Sequence, residues 1–285
     1  MPLTALALLL TSAVLHVTWN LIIKQAGEKL IVTWWALLVG TIIFSPFLIF
    51  SLPLPNSIWL YGLASAVFEC AYYGTLAYAY HRNDFSIVYP IARGTAPVFT
   101  ATWAVLFLHE VLQPIGLAGL IGIVLGLIVV GTSVLRQKRN GAAIHASALI
   151  APFVLAVCIS GYSTIDGAAS RLTAPLAYTI FIFALTTLML TPIMLKRFSW
   201  PMMTAQWRIS WKRMSVIGVL MVGAYMLVVT AFSLAQVAYV GAVREISIVL
   251  AALAGWLILG EAFGLRRTIG AALITIGVIL ITLAR

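Results

Sequence analysis

The sequence predicts an all-α polytopic membrane protein of ten transmembrane helices, arranged as two inverted five-helix repeats around a central cavity. Three observations predict it: an extreme apolar composition, a succession of apolar runs separated by short charged connections, and an alignment of one half of the chain on the other. Of 285 residues, 63 % are hydrophobic and 8 % charged, and the mean hydropathy is +1.10. Soluble domains hold roughly 45–50 % apolar and 25 % charged residues, so no water-soluble core could hide this surface. A bilayer span needs about 20 mostly apolar residues, which leaves room for about ten spans and almost no extramembrane domain.

Charges, prolines and turn residues divide the chain into spans at 3–24, 30–52, 57–80, 85–109, 113–135, 144–169, 175–196, 212–235, 237–260 and 266–284. Each is expected to be a helix, because a backbone in lipid must satisfy its polar groups within its own segment, and no alternating pattern suggests a barrel. The first run, Leu3 to Ile23, lacks a basic n-region and exceeds a signal-peptide core in length, so it reads as a retained span. The connection 197–211, with Arg197, Trp200, Pro201, Trp207, Arg208 and Trp211, reads as an amphipathic interfacial stretch.

The net charge of +10 would suggest a nucleic-acid partner in a soluble protein. Here the basic residues sit in the short connections, which is the positive-inside pattern, and no nucleic-acid partner is expected. Lys24, Lys29, Arg82, Arg136, Lys138, Arg139, Lys196, Arg197, Arg208, Lys212, Arg213, Arg266 and Arg267 fall on one side, against Arg171 and Arg285 on the other. The rich side is expected to be cytoplasmic, with both termini outside an inner, cell membrane. Cys70 and Cys158 lie within apolar segments and read as packing residues, not a disulfide.

An offset of 151 residues pairs Arg93 with Arg244, Glu110 with Glu261, Gly119 with Gly270 and Gly126 with Gly277 without a gap. An offset of 146 pairs Thr33 with Thr179, Thr41 with Thr187 and Pro46 with Pro192. Apolar matches are cheap in membrane sequences; matched charges and glycines are not. The chain therefore reads as a duplication, residues 1–140 and 141–285. Five spans per half force the second half into the membrane upside down, the arrangement of alternating-access transporters with a solute site near the midplane.

Charged residues inside a span cost roughly 2.5–3.5 kcal/mol on insertion scales and so should face the bundle interior. Arg93 and Arg244 sit at equivalent places in spans 4 and 9. A guanidinium fork suits a carboxylate, phosphate or phosphonate; the alternative is a structural or gating ion pair with Glu69 or Glu245. Glu69, mid-way along span 3, shares a helical stripe with Tyr72, Tyr73, Leu76 and Tyr80. It could receive a substrate ammonium, carry a coupled proton, or pair with Arg93. His16 and Asn20 lie one turn apart on span 1, and the 146 offset places Tyr162 and Asp166 at the matching positions of span 6. This set reads as cavity lining, with Asp166 alternatively near the surface beside Arg171; Tyr225 of span 8 joins the candidate substrate contacts. Glu110 and Glu261 close spans 4 and 9, where each could cap the exposed N–H groups of the helix that follows. Gly116, Gly119, Gly122 and Gly126, with Gly270 and Gly277, have the spacing of close helix packing. No Walker loop, HExxH, GxSxG or Cys/His metal spacing occurs, so ATP-driven transport, catalytic residues, a cofactor and a bound metal are not expected.

The stretches LHEVLQPIGLAGLIGIVLGLIVV (108–130) and LGEAFGLRRTIGAALITIGVILIT (259–282) resemble the closing part of the EamA-type repeat of the drug/metabolite transporter superfamily, once in each half. The resemblance implies two five-helix units forming a basket around a cavity lined mainly by spans 1, 3, 4, 6, 8 and 9, and export of amino acids, metabolites or drugs. It also implies termini on the inside, against the charge count. The combined expectation is a secondary transporter exporting a small organic anion or zwitterion, such as an amino acid or aminophosphonate, by alternating access, with protons as the candidate coupling ion. Efflux of cationic or aromatic drugs is the alternative within transport, and an intramembrane enzyme or lipid-handling protein the alternative outside it. The expected partners are the small-molecule substrate and membrane lipids, for a monomer or homodimer.

Overall fold

The computed structural model describes residues 1–51, 54–81, 85–138, 150–259 and 265–284, and every regular element among them is helical. The first half contains α1 (Leu3–Lys24), α2 (Lys29–Phe44) with a 3₁₀ extension (Ser45–Phe50), α3 (Asn56–His81), α4 (Phe85–Leu108) and α5 (Pro114–Lys138). The second contains α6 (Ile150–Ala169), α7 (Pro175–Arg197), α8 (Trp200–Leu234), α9 (Val237–Val243), α10 (Ile246–Leu259) and α11 (Leu265–Leu283). Prolines set several boundaries: Pro114 and Pro175 occupy the first helical position, where the missing N–H costs nothing. Five described helices are long and apolar enough to cross a bilayer, namely Leu3–Ile23, Lys29–Phe50, Ile150–Ala169, Pro175–Arg197 and Trp200–Leu234.

Two expectations about the spans need correction. The segment 237–260 is not one helix but two, α9 and α10, separated at Arg244 and Glu245. The backbone tightens there into three-residue hydrogen bonds, Glu245 N–H to Ala242 O at 3.0 Å and Ile248 N–H to Glu245 O at 2.9 Å. Every residue of α9 is buried, and irregular backbone at membrane depth is tolerated where protein covers it. The interfacial stretch is likewise not separate from span 8: it forms the first arm of α8, which kinks at Ser210 (φ −132°, ψ 20°). That arm rests on α2, where Trp35 stacks near Trp207 with ring centres 4.8 Å apart and donates its Nε1–H to Met203 O at 3.0 Å.

The packing of the two halves is reciprocal. Under the sequence offsets α1 corresponds to α6, α2 to α7, α3 to α8 and α5 to α11. Accordingly α1 packs on α8 as α6 packs on α3, and α2 packs on α8 as α7 packs on α3. The same reciprocity reaches single residues in the α5–α11 contact. A side chain on Gly119 would stand 2.6 Å from Gly277 O, and one on Gly126 would stand 2.7 Å from Gly270 O. Because Gly119 corresponds to Gly270 and Gly126 to Gly277, each glycine faces the equivalent of the other. Ascending numbers in α5 thus meet descending numbers in α11, so equivalent helices run antiparallel, as a two-fold axis across them requires.

The two ends of the bundle differ. At the end holding both termini, the Met1 amino group donates to Ala284 O at 2.7 Å, and an apolar cluster including Leu9, Phe232, Val237, Val240 and Ile281 is fully buried. The same end holds Glu110, whose carboxylate accepts the N–H groups of Val237 at 2.7 Å and Ala238 at 3.1 Å. Arg171 also donates to it at 3.0 Å. Glu110 therefore caps α9 of the other half, not the helix that follows it as its spacing suggested. The connection from α4 to α5 lies across the start of α9, where Gln113 N–H also donates to the Tyr239 hydroxyl at 2.9 Å. Glu261, the repeat mate of Glu110, lies outside the described residues.

Candidate functional site

A cavity of about 170 Å³ is lined by residues of both halves. It runs from Ser12, Tyr162 and Ala224 midway along their helices to Asn20, Ile23 and Lys29 beside the α1–α2 connection. That connection is at the end of the bundle opposite the termini, the end where the basic residues of the connections collect.

Of the candidate residues, Arg93, Arg244, Glu69, Tyr73, His16, Asn20, Tyr162 and Tyr225 all line this cavity. Asp166 and Glu245 lie behind its wall. The two arginines, equivalent in sequence, have different surroundings. Arg93 is 6 % exposed; its Nε lies 3.2 Å from Glu245 Oε2, and its Nη2–H donates to Ser247 Oγ at 3.2 Å. This pair joins α4 of the first half to the α9–α10 junction of the second. Among the described residues Arg244 makes two long hydrogen bonds, to Ser163 Oγ and Tyr162 Oη, each at 3.4 Å. Its guanidinium carbon sits 6.0 Å from the ring centre of Tyr162 and 5.9 Å from that of Tyr225, within cation–π range. Among the described residues no carboxylate lies within 4.0 Å of Arg244.

Glu69 is buried in the wall of α3. It does not pair with Arg93 in this structure; its Oε2 accepts the Thr186 hydroxyl at 2.6 Å. Asp166 is not beside Arg171, which is bound to Glu110. It is fully buried, its Oδ1 accepting the Tyr178 hydroxyl at 2.8 Å and its Oδ2 accepting the Tyr225 hydroxyl in a very short bond. His16 packs edge-on against Trp19 at 4.8 Å. Asn20 spends one amide N–H on His16 O, at 2.7 Å, within its own helix. The side chain of Tyr80 lies outside the described residues.

Reading the sequence alone missed several contributors. Lys29 at the mouth looked like one more loop charge, yet it lines the cavity. Thr186 and Tyr178 looked like ordinary span residues, yet they donate to the buried carboxylates of Glu69 and Asp166. Chemically, the wall offers a guanidinium framed by two tyrosines, a second arginine already paired, a lysine at the entrance and a buried carboxylate.

The arrangement is matched by known proteins at the level of family and fold. A family model described as the EamA-like transporter family matches residues 3–132 and again residues 146–283. A crystal structure of another protein superposes with a TM-score of 0.76, covering 99 % of this chain and 98 % of that one at 19 % identity. No curated protein matches.

Proposed function

The chain belongs to the EamA-like transporter family, hence to the integral membrane transporters of the drug/metabolite type, and from that premise we propose that it exports a small organic anion or zwitterion from the cytoplasm. Ten spans in two inverted five-helix repeats would enclose the site, and the halves would rock to open it to each side in turn. The observation that carries the reading is Arg244: a guanidinium in the cavity wall, held between Tyr162 and Tyr225, with no carboxylate at ion-pair distance among the described residues. A substrate carboxylate, phosphate or phosphonate supplies the missing counter-charge in bidentate geometry. Glu69, in the same cavity and with no cation within 4.0 Å among the described residues, receives a substrate ammonium or carries the coupled proton. Amino acids and aminophosphonates satisfy both groups at once.

The cavity extends to the end carrying most of the basic residues. By the positive-inside rule that end is cytoplasmic, so the site loads from inside and the termini face outside an inner membrane. In reconstituted vesicles, uptake of labelled amino acids and aminophosphonates driven by counter-substrate or a proton gradient tests the reading. Arg244→Gln should abolish anion transport; wild-type rates for every transported anion in that variant would sink it. Glu69 also supports a second reading, efflux of organic cations past the tyrosine wall. Cation efflux that survives Arg244→Gln and is indifferent to excess amino acid would favour it.

A further inference from the structure

At 0 % exposure Asp166 is the most buried acid among the described residues, and transport as proposed gives it no task. Its carboxylate is held by hydroxyls, Tyr178 of α7 donating to Oδ1 at 2.8 Å and Tyr225 of α8 donating to Oδ2. No cation lies within 4.0 Å of it among the described residues. Ser65 Oγ of α3, also fully buried, is close enough to act on both the carboxylate and the Tyr178 hydroxyl, yet it makes no aligned hydrogen bond of its own. The charged groups acting on the site are Glu69, one turn along α3 from Ser65, and Arg244 at the α9–α10 junction. Of the other elements packed on α6, α4 brings Arg93, which sits at Glu245, and α9 brings the apolar Val237 against Gly167. An ionisable side chain without a paired charge is expensive inside a membrane bundle, so its presence there calls for a use. Of the three hydroxyls around Asp166, that of Tyr225 alone belongs to a residue of the cavity wall; Ser65 and Tyr178 are fully buried and do not line it. On α6 itself, Asp166 lies one turn beyond Tyr162, which lines the inner end of the cavity.

We propose that Asp166 is a proton-binding site, loaded and emptied through the Tyr225 hydroxyl, and that its proton is the one coupled to substrate movement. The coupling rests on the transport reading; the proton site does not. In the loading step Tyr225 passes its hydroxyl proton to Asp166 Oδ2 while the Tyr225 oxygen takes a proton from a hydronium in the cavity, which is left as water. One O–H bond is broken and one formed at the tyrosine, one is formed at the acid, and Tyr225 ends neutral. A carboxylic acid, unlike a carboxylate, has an O–H that needs an acceptor. Ser65 Oγ is the buried oxygen open to accept it, after which the Tyr225 hydroxyl turns back to donate to the acid. Unloading is the reverse. Glu69, in the cavity itself, is then left for a substrate ammonium.

The proton site is tested on the purified protein in detergent, without substrate, by infrared spectroscopy across a pH series. The chain has two aspartates, Asp84 and Asp166, so isotopic labelling of aspartate carboxyl carbons separates their C=O band from that of the glutamates. The band of a protonated acid should rise and fall reversibly with pH, shift with the label, persist in Asp84→Asn and in Glu69→Gln, and vanish in Asp166→Asn. After a pH jump Tyr225→Phe should slow its appearance by about a hundredfold, the lower end of what a positioned proton-transfer group contributes. Tyr178→Phe should leave that rate unchanged. A band that ignores the label, a band that survives in a folded Asp166→Asn protein, or a wild-type rate in Tyr225→Phe would overturn the proposal. Should Asp166→Asn not fold, the labelled Asp84→Asn protein and the two tyrosine variants decide, and equal rates in Tyr225→Phe and Tyr178→Phe are the overturning result. In proteoliposomes Asp166→Asn should remove the acceleration of substrate uptake by a proton gradient; an acceleration kept in that variant would overturn the coupling. A pH response as expected, with no solute transported, would leave the proton site standing and remove only the transport reading.

Discussion

The Nε of Arg93 lies 3.2 Å from Oε2 of Glu245, both side chains buried, in a contact that ties the first half of the chain to the point where α9 ends and α10 begins. Glu245 is therefore a structural acid, and its removal takes the counter-charge at ion-pair distance away from a buried cation. Removing one partner of a buried pair typically costs about 3–5 kcal/mol, more than the pair itself contributes. Glu245→Gln should lower the melting temperature in detergent substantially, whereas Arg93→Met combined with Glu245→Leu should recover much of the loss. A double variant no more stable than Glu245→Gln alone would show that the pair is not the origin of the effect.

The antiparallel contact of α5 with α11 makes the glycines unequal in a testable way. Gly119 and Gly126 approach backbone oxygens of the opposite helix, while a methyl on Gly122 would meet nothing nearer than 3.6 Å. Overpacking at a close approach costs roughly 1–3 kcal/mol. Thermal stability should fall for Gly119→Val and Gly126→Val and be nearly unchanged for Gly122→Ala. Equal losses at all three would contradict the reciprocal register.

How much of this was legible beforehand follows from which interactions are local. The duplication and the packing glycines could be read because they repeat at a fixed offset. The break at Arg244 and Glu245 could not, since 237–260 is apolar on either side and the break depends on what α4 and α6 offer those two side chains. The partners of Glu110 and Asp166 were misjudged for a related reason: Glu110 looked to the helix that follows it but is bound by the start of α9, and Asp166 looked to Arg171 but is bound by hydroxyls of α7 and α8 that only the packing brings to it.

Glu110 holds three donors at once, two backbone N–H groups of α9 and the Arg171 guanidinium. Loss of a capping side chain costs about 0.5–2 kcal/mol. Glu110→Ala should destabilise the protein and speed hydrogen exchange at Val237 and Ala238, with Glu110→Gln intermediate because one acceptor oxygen survives. Arg171 is 44 % exposed at its side chain, so Arg171→Ala should change stability little. An effect of Arg171→Ala as large as that of Glu110→Ala would place the interaction in the ion pair and not in the cap.

The two tyrosines on Asp166 should separate stability from transport. Tyr178 is fully buried and does not line the cavity, and its hydroxyl donates to the carboxylate. Tyr225 serves the same carboxylate from the cavity wall, with its ring beneath Arg244. Removing a hydrogen bond to a charged group costs about 1.5–3 kcal/mol. Tyr178→Phe should therefore lower the melting temperature while leaving the substrate KM near the wild-type value. Tyr225→Phe keeps the ring, and with it the cation–π contact, so its loss should resemble that of Tyr178→Phe in stability and add a raised KM only if the hydroxyl orients Arg244 through Asp166 and the wall. Tyr225→Leu, which deletes the ring as well, should weaken substrate binding in either case. A KM unchanged in Tyr225→Leu would detach this wall, and with it Arg244, from the substrate.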